Sequence, residues 1–454
     1  MRQNLRKKQP NLVFVFADQM RGQDMNCAGN EQMITPNMDK MAAQGVRLSN
    51  AISTTPICMP ARAMMLTGQY PMNNKVRTNG EALPADSVTI AKLAKSAGYQ
   101  TGYIGKWHLS GHSGHGVASS QFVRPGPERQ GFDFWAASNI LHKYFDSHYY
   151  CDEDKPIPIE GWEPDTQTDL AINYMKQHAD DEQPFCLYIS WGPPHDPYIA
   201  PQKYLDMYDP EKIKLRDNVF LADRKAIQAY YAAISSLDWN LGRLMETMHS
   251  IGIADDTIFV FTSDHGDQLF SLYLNHKQWP YEESINVPFI ICYPRKLPSG
   301  QINDVLLGTP DIMPTLLSLM NLEIPTSIDG DDLSSFMAMN SNKPERESIP
   351  IGIISPNGVV QDRAGMRPWR GVRTKRYTFA RFKHSDWLLI DNKLDPYQRR
   401  NLIYNPEYKS IREDLAGKLD EWLIKTNDSF PDIKEAPRYE MVKNRPPLWQ
   451  QQID

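Results

Sequence analysis

Two aspartates stand directly after short apolar runs of the chain, and each is followed by a second polar side chain. Asp18 precedes Gln19, and Asp264 precedes His265. If both runs are parallel strands, their carboxyl ends share the sheet edge at which ligands bind. Carboxylate and amide oxygens suit Ca²⁺, Mg²⁺ or Mn²⁺, and the imidazole leaves softer ions open. These residues predict a divalent-metal site; the alternative is that each aspartate only caps the following turn.

Cys58 stands at the start of a segment with a helical pattern. Pro60 suits the first turn of a helix, good helix formers follow it, and Gly68 ends the pattern. A cysteine at a helix N-terminus meets free backbone N–H groups and the positive end of the helix dipole, which attract anions and favour a thiolate. The alternative is a buried cysteine before an ordinary helix, which is the commoner case.

The cysteines as a set exclude two other kinds of chemistry. An odd, sparse set over 454 residues is no disulfide framework, and no closely spaced pair suggests a zinc site. Cys186 and Cys292 lie in apolar runs and are expected in the core.

The elements that must position these residues follow an alternating pattern. Strands are predicted at residues 12–17, 100–104, 185–190, 257–262 and 288–292. Amphipathic stretches lie between them, of which residues 222–250 form the longest predicted helix. Strands separated by helices imply right-handed crossovers. We therefore predict an α/β fold with a large, mostly parallel sheet sandwiched by helices.

The pattern changes near residue 349. Residues 369–374, 377–382 and 387–390 predict short antiparallel strands, and residues 410–426 predict a closing helix. The chain is therefore expected to form an α/β domain over residues 1–345 and a smaller α+β domain over residues 346–454.

Composition and charge limit the partners. Hydrophobic residues make up 41% and charged residues 23%, which excludes a disordered chain. The net charge of −6 offers no overall positive field for nucleic acid or for a membrane surface, so neither is an expected partner.

No run of the sequence approaches the roughly 18 apolar residues of a membrane span. The basic N-terminus meets a short apolar run without a cleavage pattern, which predicts a cytoplasmic protein, or a periplasmic one if a leader has been removed.

A series of motifs resembles a known family. The segment Cys58-Met59-Pro60-Ala61-Arg62, followed by Leu66-Thr67-Gly68, resembles the signature of type I sulfatases in the alkaline-phosphatase superfamily. Further segments match that family in the same order: residues 10–18, 35–39, 102–109, 193–197, 262–266, 281–289, 311–316 and 373–379. The resemblance covers nearly the whole chain and extends to bacterial carbohydrate sulfatases. It implies an alkaline-phosphatase-like fold.

The resemblance implies a modified nucleophile. In this family a separate maturation enzyme oxidises the cysteine to formylglycine, an aldehyde that is hydrated in the resting site. Cys58 occupies that position, and Pro60 and Arg62 match the recognition pattern of the maturation enzyme. One hydroxyl of the hydrate would attack sulfur and release the alcohol, and the second would then expel sulfate.

The resemblance also implies a metal and a set of ligands. The expected cofactor is one divalent ion, with Ca²⁺ as the first choice. The implied ligands are Asp18, Gln19, Asp264, His265 and the modified Cys58.

The remaining implied roles balance charge and move protons. Arg62 would orient the hydrate, and Lys106 and Lys277 would neutralise the sulfate. His108 would take a proton from the hydrate. His195 would donate a proton to the leaving oxygen, because a group that titrates near neutrality can do so.

Two departures from the family pattern matter. Many sulfatases carry a second aspartate and an asparagine where this chain has Gln19 and His265. The change leaves Mn²⁺ or Zn²⁺ open, and it also occurs in related phosphonate and phosphodiester hydrolases and in many bacterial carbohydrate sulfatases. Residues 267–276 replace the usual glycine-rich segment.

The expected function is hydrolysis of a sulfate ester on a sugar or oligosaccharide. The alternatives are a phosphonate monoester or phosphodiester hydrolase with the same nucleophile, and an unmodified protein that only binds sulfated glycan.

Residues 110–150 are expected to shape the substrate pocket. The candidate side chains there are His112, His115, Trp135, His142, His148, Tyr149 and Tyr150. Ordinary packing is the alternative for each of them. His112 and His115 suggest either a second metal site or an ordinary glycine-rich loop. Trp369, Arg370 and Arg373 are candidates for the mouth of the cleft.

Overall fold

A computed structural model describes residues 9–111, 121–342, 344–356 and 365–430. Its strands are β1 (Asn11–Asp18), β2 (Val46–Leu48), β3 (Ala51–Ile52), β4 (Gln100–Lys106), β5 (Phe134–Ser138), β6 (His148–Tyr149), β7 (Ile157–Pro158), β8 (Phe185–Pro194), β9 (Thr257–Ser263), β10 (Phe289–Cys292), β11 (Gln301–Asn303), β12 (Leu307–Gly308), β13 (Ile349–Ile353), β14 (Trp369–Arg373), β15 (Tyr377–Phe382) and β16 (Ser385–Asp391).

The helices fill the intervals between strands. They are α1 (Pro36–Gln44), α2 (Cys58–Thr67), α3 (Pro71–Asn74), α4 (Ile90–Ser96), α5 (Glu163–Gln177), α6 (Gln202–Leu205), α7 (Arg224–Ser250), α8 (Glu282–Ile285), α9 (Ile312–Leu319), α10 (Ser334–Met337) and α11 (Lys409–Lys425). Short 3-10 turns lie at Asn26–Ala28, Pro127–Arg129, Ala254–Asp256, Ser271–Tyr273, Thr309–Asp311 and Pro406–Tyr408. Among the described residues, no helix is both long and apolar enough to cross a lipid bilayer.

The main sheet has eight strands in the order β11-β2-β10-β9-β1-β8-β4-β5. Strands β9, β1, β8, β4 and β5 run parallel to one another. Strand β10 is antiparallel to both of its neighbours, β9 and β2. The prediction of a large, mostly parallel sheet is confirmed.

Strand β1 shows why the sheet is covered on both faces. All eight of its residues are buried, as expected for a parallel strand between two layers of helices. Leu12, Phe14 and Phe16 belong to one core cluster, and the alternating Val13 and Val15 belong to the other. The same alternation directs successive side chains of a strand to opposite faces.

Helix α7 covers one of these faces. Asp223 caps its start and accepts hydrogen bonds from the backbone N–H groups of Lys225 (2.9 Å) and Ala226 (3.2 Å). Gly252 follows its end with a positive φ of 73°, a conformation that glycine adopts at little cost. The helix begins two residues later than its predicted start at residue 222.

The second sheet, β13-β14-β15-β16, is antiparallel throughout. Helix α11 packs on one side, where Leu415 and Leu419 meet Val372 and Phe379. The other side joins a core cluster shared with the first part of the chain, described below. A smaller C-terminal sheet with a closing helix is therefore present, as predicted.

Trp135 is a correction to the predicted substrate pocket. It lies in β5 and is buried, with its ring 5.4 Å from Tyr103 and 5.1 Å from Trp107. The expectation that Trp135 shapes the pocket is wrong, because this edge strand directs its ring into the core.

Candidate active site

Four potential ligands converge at the carboxyl end of the main sheet. One ligand atom from each of Asp18, Cys58, Asp264 and His265 lies within 4.8 Å of every other, and all four residues are buried. Strands β1 and β9 are parallel neighbours, so the side chains that follow them meet at one edge. Cys58 reaches the same point as the first residue of α2.

The chemistry of this donor set fits a divalent cation. The Nδ1 atom of His265 lies 3.0 Å from the carbonyl oxygen of Gly266, and Nδ1 donates because a carbonyl oxygen can only accept. That Nε2 atom lies 3.7 Å from an oxygen of each aspartate and 3.2 Å from the sulfur of Cys58. Two carboxylates and the Nε2 atom of His265 could therefore hold a metal together with the residue at position 58.

Gln19 adjoins this cluster in a constrained backbone conformation. Its φ is 71°, and its backbone N–H donates to Asp264 at 3.1 Å. The side-chain Oε1 accepts a hydrogen bond from Lys277 (2.5 Å), while Nε2 donates to Asp267 (2.6 Å). The amide is thus oriented from both ends. That Gln19 is a metal ligand stays a prediction.

Arg62 connects the carboxyl ends of β1 and β9. Its guanidinium donates to Asp18 and to Asp264, each at 3.0 Å, and also to the backbone oxygen of Lys106 and the hydroxyl of Ser190. Burial opposes its charge, but Asp264 and Asp18 raise the pKa of Arg62 above its ordinary value. The guanidinium therefore stays charged and offsets the carboxylates.

Lys106 ends β4 and contributes a second buried cation. Its Nζ donates to Asp18 at 2.6 Å. Burial alone would raise the pKa of Asp18, but Lys106 and Arg62 hold that pKa well below its ordinary value. Asp18 is therefore ionised, as a metal ligand must be.

Lys277 and His195 form a close pair on the other side of Gln19. Lys277 Nζ lies 2.7 Å from His195 Nε2, and His195 Nδ1 lies 2.7 Å from the backbone oxygen of Asp196. Nδ1 therefore donates to the carbonyl and Nε2 accepts from the ammonium. Burial and then Lys277 hold the pKa of His195 well below its ordinary value, so the imidazole is neutral.

The same cations act on Cys58. Burial and Asp18 raise the pKa of its thiol, but Lys277, Lys106 and His265 outweigh them, so the net pKa lies below its ordinary value. The site thus favours negative charge at position 58, as an anionic substrate also requires.

His108 is buried two residues beyond Lys106. Its φ is 57°, and its backbone N–H donates to the oxygen of Asn139 at 2.7 Å. Burial, followed by Lys106 and Arg62, holds the pKa of His108 well below its ordinary value. A neutral imidazole can accept a proton, so the predicted role of His108 is chemically possible and stays a prediction.

Comparison with known proteins identifies the family. Residues 10–322 match the family described as Sulfatase. The chain belongs to the sulfatase family. Residues 272–425 also match the family described as N-sulphoglucosamine sulphohydrolase, C-terminal. The predicted family is confirmed, and this sulfatase is a sulfuric ester hydrolase.

Three relatives support that assignment. An ulvan-active sulfatase of Formosa agariphila is 36% identical to this sulfatase over 97% of this chain and 87% of its own. An endo-4-O-sulfatase of Bacteroides thetaiotaomicron is 28% identical over 93% of each chain. A protein solved in complex with its substrate, D-glucosamine-2-N,6-O-disulfate, has a TM-score of 0.83 at 25% identity and covers 94% of this chain and 100% of its own.

Several side chains at the site of this sulfatase were missed from sequence. Asp267 accepts from Gln19 and from the hydroxyl of Tyr198, each at 2.6 Å. The carboxylate of Asp196 lies 3.3 Å from Nδ1 of both His195 and His276. Asp196 and Asp267 stand one and two residues after His195 and His265, so proximity in sequence was the available signal.

His142 belongs to the same site. Its ring stacks on His195 with the centroids 4.3 Å apart, and burial lowers the pKa of His142 to about 3. The sequence places it in the region expected to shape the pocket but offers no sign of this contact. His112 and His115, two further histidines of that region, lie outside the described residues.

The proposed cleft residues of the second sheet are a correction. Trp369 is buried, and its Nε1 donates to the oxygen of Gln278 at 3.0 Å. Arg370 is paired with Asp428, and Arg373 lies 2.7 Å from Glu282. These side chains pair with protein groups inside the structure, so the expectation that they face the cleft mouth is wrong.

Proposed function

We propose that this sulfatase hydrolyses a sulfate ester on a sugar or oligosaccharide, with a formylglycine made from Cys58 and one divalent metal. The observation that carries the proposal is the convergence of Cys58 with three potential metal ligands, one of which is paired with the buried cation of Lys106. Supplied there, the metal gives a fixed positive charge that lowers the pKa of a bound hydroxyl, and the hydrated aldehyde gives the nucleophile for sulfur.

The chain's own residues would stabilise the charge of the reacting group. Lys106 contacts Asp18 and Lys277 contacts the adjacent Gln19, so both cations would be available to the outer oxygens of a sulfate. Arg62 holds Asp18 and Asp264 in place, because it donates to both. Fixed cations in a buried site act strongly on charge that develops in the transition state.

Proton delivery to the leaving alcohol is assigned to His195 together with Lys277. One proton lies between Nζ of Lys277 and Nε2 of His195, across 2.7 Å. The pair can give that proton to the leaving alkoxide oxygen once this oxygen comes within hydrogen-bond distance of Nζ of Lys277. The backbone oxygen of Asp196 keeps the other proton on Nδ1 and holds the ring in this orientation.

The carbohydrate substrate is supported by the names of the relatives. The relatives named above are described as acting on ulvan, as an endo-4-O-sulfatase, or as bound to a disulfated glucosamine.

Ca²⁺ is the first choice for the metal, with Mn²⁺ or Zn²⁺ as the alternatives that His265 leaves open. Elemental analysis of the purified protein decides between them; zinc alone would contradict the calcium assignment.

The first experiment is mass spectrometry of the peptide that contains Cys58, from protein made in a host with a maturation enzyme. We expect an aldehyde in place of the thiol and sulfate release from sulfated sugars. Cys58→Ala should abolish that release. Sulfate release at the wild-type rate from Cys58→Ala, or from protein with a free thiol throughout, contradicts the proposal.

The second candidate is a phosphonate monoester or phosphodiester hydrolase with the same nucleophile. Gln19 and His265 favour it, because they give one negative ligand fewer than the pattern of many sulfatases. Matched sulfate and phosphonate esters of one alcohol separate the candidates. We expect a higher kcat/KM for the sulfate; the reverse order makes phosphonate the substrate.

A further inference from the structure

The segment that departs from the family pattern has an unusual backbone. Six residues between positions 269 and 278 have positive φ angles although none is glycine: Leu269, Phe270, Leu272, Tyr273, His276 and Gln278. Each such residue costs of order 1 kcal/mol or more. This conformation persists only where the surrounding structure enforces it.

Buried hydrogen bonds hold this segment from inside. The backbone N–H of Leu272 donates to the oxygen of Asn218 (2.8 Å), and that of Gln268 donates to the oxygen of His276 (2.7 Å). Asp267 accepts from the N–H of Leu269 at 2.9 Å. The backbone is thus fixed while the side chain of Tyr273 is directed outward, with 69% of its surface exposed.

Tyr273 is half of an exposed aromatic pair. Its ring stacks on Phe220, with the centroids 5.3 Å apart and the planes at 25°. Phe220 is itself 51% exposed. The guanidinium of Arg399, an exposed residue, lies 5.7 Å from the centroid of the Phe220 ring. We call Phe220, Tyr273 and Arg399 the aromatic platform.

The aromatic platform lies near the reacting groups. Tyr273 and Lys277 are four residues apart, so their Cα atoms are separated by at most about 14 Å. Lys277 contacts both Gln19 and His195. An oligosaccharide with one end at Lys277 therefore needs to extend by only a few sugar rings to reach Tyr273.

We propose that the aromatic platform is a subsite for sugar rings of an anionic glycan whose sulfate ester occupies the active site. The inference rests on the proposed function and extends it from the reacting sulfate to the rest of the substrate. Flat aromatic faces pack against the C–H groups of a sugar ring, and a guanidinium pairs with carboxylate or sulfate. The net charge of −6 repels a polyanion in general, so binding depends on local cations such as Arg399.

The test compares long and small substrates of one enzyme. The double variant Phe220→Ala/Tyr273→Ala is assayed on long ulvan fragments and on a small aryl sulfate. We expect the ratio of kcat/KM for the long fragment to that for the small ester to fall about tenfold, or about 1.4 kcal/mol. Arg399→Ala should lower the same ratio more at low salt than at high salt.

The control variant is Trp239→Ala. Trp239 is an exposed aromatic residue of α7, with 54% of its surface exposed, and it takes no part in the aromatic platform. We expect the wild-type ratio from this variant. An equal loss on both substrates in the double variant, or the same loss in Trp239→Ala, overturns the proposal.

A binding measurement separates this proposal from the proposed function. Affinity electrophoresis is run in gels containing ulvan, chondroitin sulfate or heparin, with polyacrylate as a polyanion without sugar rings. We expect wild-type protein to be retarded by at least one glycan and the double variant to lose most of that retardation. Retardation that persists in the double variant, equal retardation by polyacrylate, or none by any glycan overturns the subsite.

Two further outcomes are informative. Platform-dependent retardation without sulfate release from any ester refutes the proposed function and leaves the subsite standing. Sedimentation velocity tests a second copy of the chain as the occupant: a wild-type dimer that the double variant dissociates overturns the glycan assignment.

Discussion

Arg62 is a buried guanidinium that bridges aspartates from two neighbouring strands. A lysine keeps the charge but cannot present two forked donors to both carboxylates. We therefore expect Arg62→Lys to lower the free energy of unfolding by about 3 kcal/mol and sulfate release by at least about 100-fold. Urea unfolding and a sulfate assay measure the two effects.

The control for Arg62 is a partly exposed ion pair. Arg77 contacts Glu81 near the surface, so Arg77→Lys should change the free energy of unfolding by less than about 1 kcal/mol. Equal effects of the two substitutions would show that burial of the guanidinium is unimportant.

Glu163 gives the fold a pH dependence. Burial raises the pKa of Glu163 to about 8 from an ordinary value of 4.5. The folded protein then binds a proton that the unfolded chain releases, so this residue's contribution to stability is lost as pH rises from 4.5 to 8. Glutamine is neutral throughout and can still accept from Ser147.

We therefore expect Glu163→Gln to be increasingly more stable than wild type as pH rises from 5 to 8. The difference should grow by up to about 1.4 kcal/mol per pH unit. Thermal unfolding at several pH values measures it. A constant difference in Tm across this range would mean that Glu163 is ionised in the folded protein.

The predictable part of the site consists of residues that follow strands or begin helices. Asp18, Asp264 and Cys58 fall in this class, because the direction of a parallel strand fixes where its last residue points. The contact of His142 with His195 depends on the irregular path of residues 139–147, and no periodic pattern encodes that path.

At the level of elements, the glycine before Lys106 determines how β4 ends. Gly105 has φ of +100°, and a Cβ there would lie 2.0 Å from the oxygen of Ser190 on β8. Gly105→Ala adds backbone strain and a steric overlap, which together should cost at least about 3 kcal/mol. Lys106 should also shift and sulfate release should fall; thermal unfolding and activity measure both.

Gly98 supplies the comparison for this substitution. Its φ is +89°, but a Cβ at Gly98 would meet nothing within 4 Å. Gly98→Ala should therefore cost only about 1 kcal/mol, from backbone strain alone. If both substitutions cost the same, the close approach of β4 to β8 does not limit position 105.

Strand prediction worked best for the long apolar runs and missed several short strands. Strands β1, β8 and β9 were predicted because they are buried on both faces and nearly continuous in apolar residues. Strand β5 was missed because its sequence, Phe-Trp-Ala-Ala-Ser, has neither alternation nor β-branched residues. The antiparallel direction of β10 depends on its connection and cannot be read from its composition.

On the scale of the whole molecule, the two sheets share one core. Ile52, Ile57 and Trp279 from the first part of the chain pack in one cluster with Ile351 and Trp369 of the second sheet. Neither part can lose this contact without exposing apolar surface. We expect calorimetry to show one transition whose calorimetric and van't Hoff enthalpies agree. Two resolved transitions would contradict a shared core.

Trp369 connects that core to the segment that carries Lys277. Trp369→Phe keeps an aromatic ring but removes the N–H that donates to Gln278, the neighbour of Lys277. We expect a loss of about 1 kcal/mol in the free energy of unfolding and a lower kcat as Lys277 shifts. Unchanged kcat with reduced stability would limit Trp369 to a packing role.

Helix α2 also constrains when the chain can be modified. All ten of its residues are buried, with Cys58 at 1% exposure. A second protein cannot reach a thiol enclosed in this way, so the oxidation proposed for Cys58 has to occur while the chain is still unfolded. The yield of active enzyme then depends on whether Cys58 is oxidised before α2 folds. Protein that folds first keeps the thiol, and later exposure to the maturation enzyme cannot convert it.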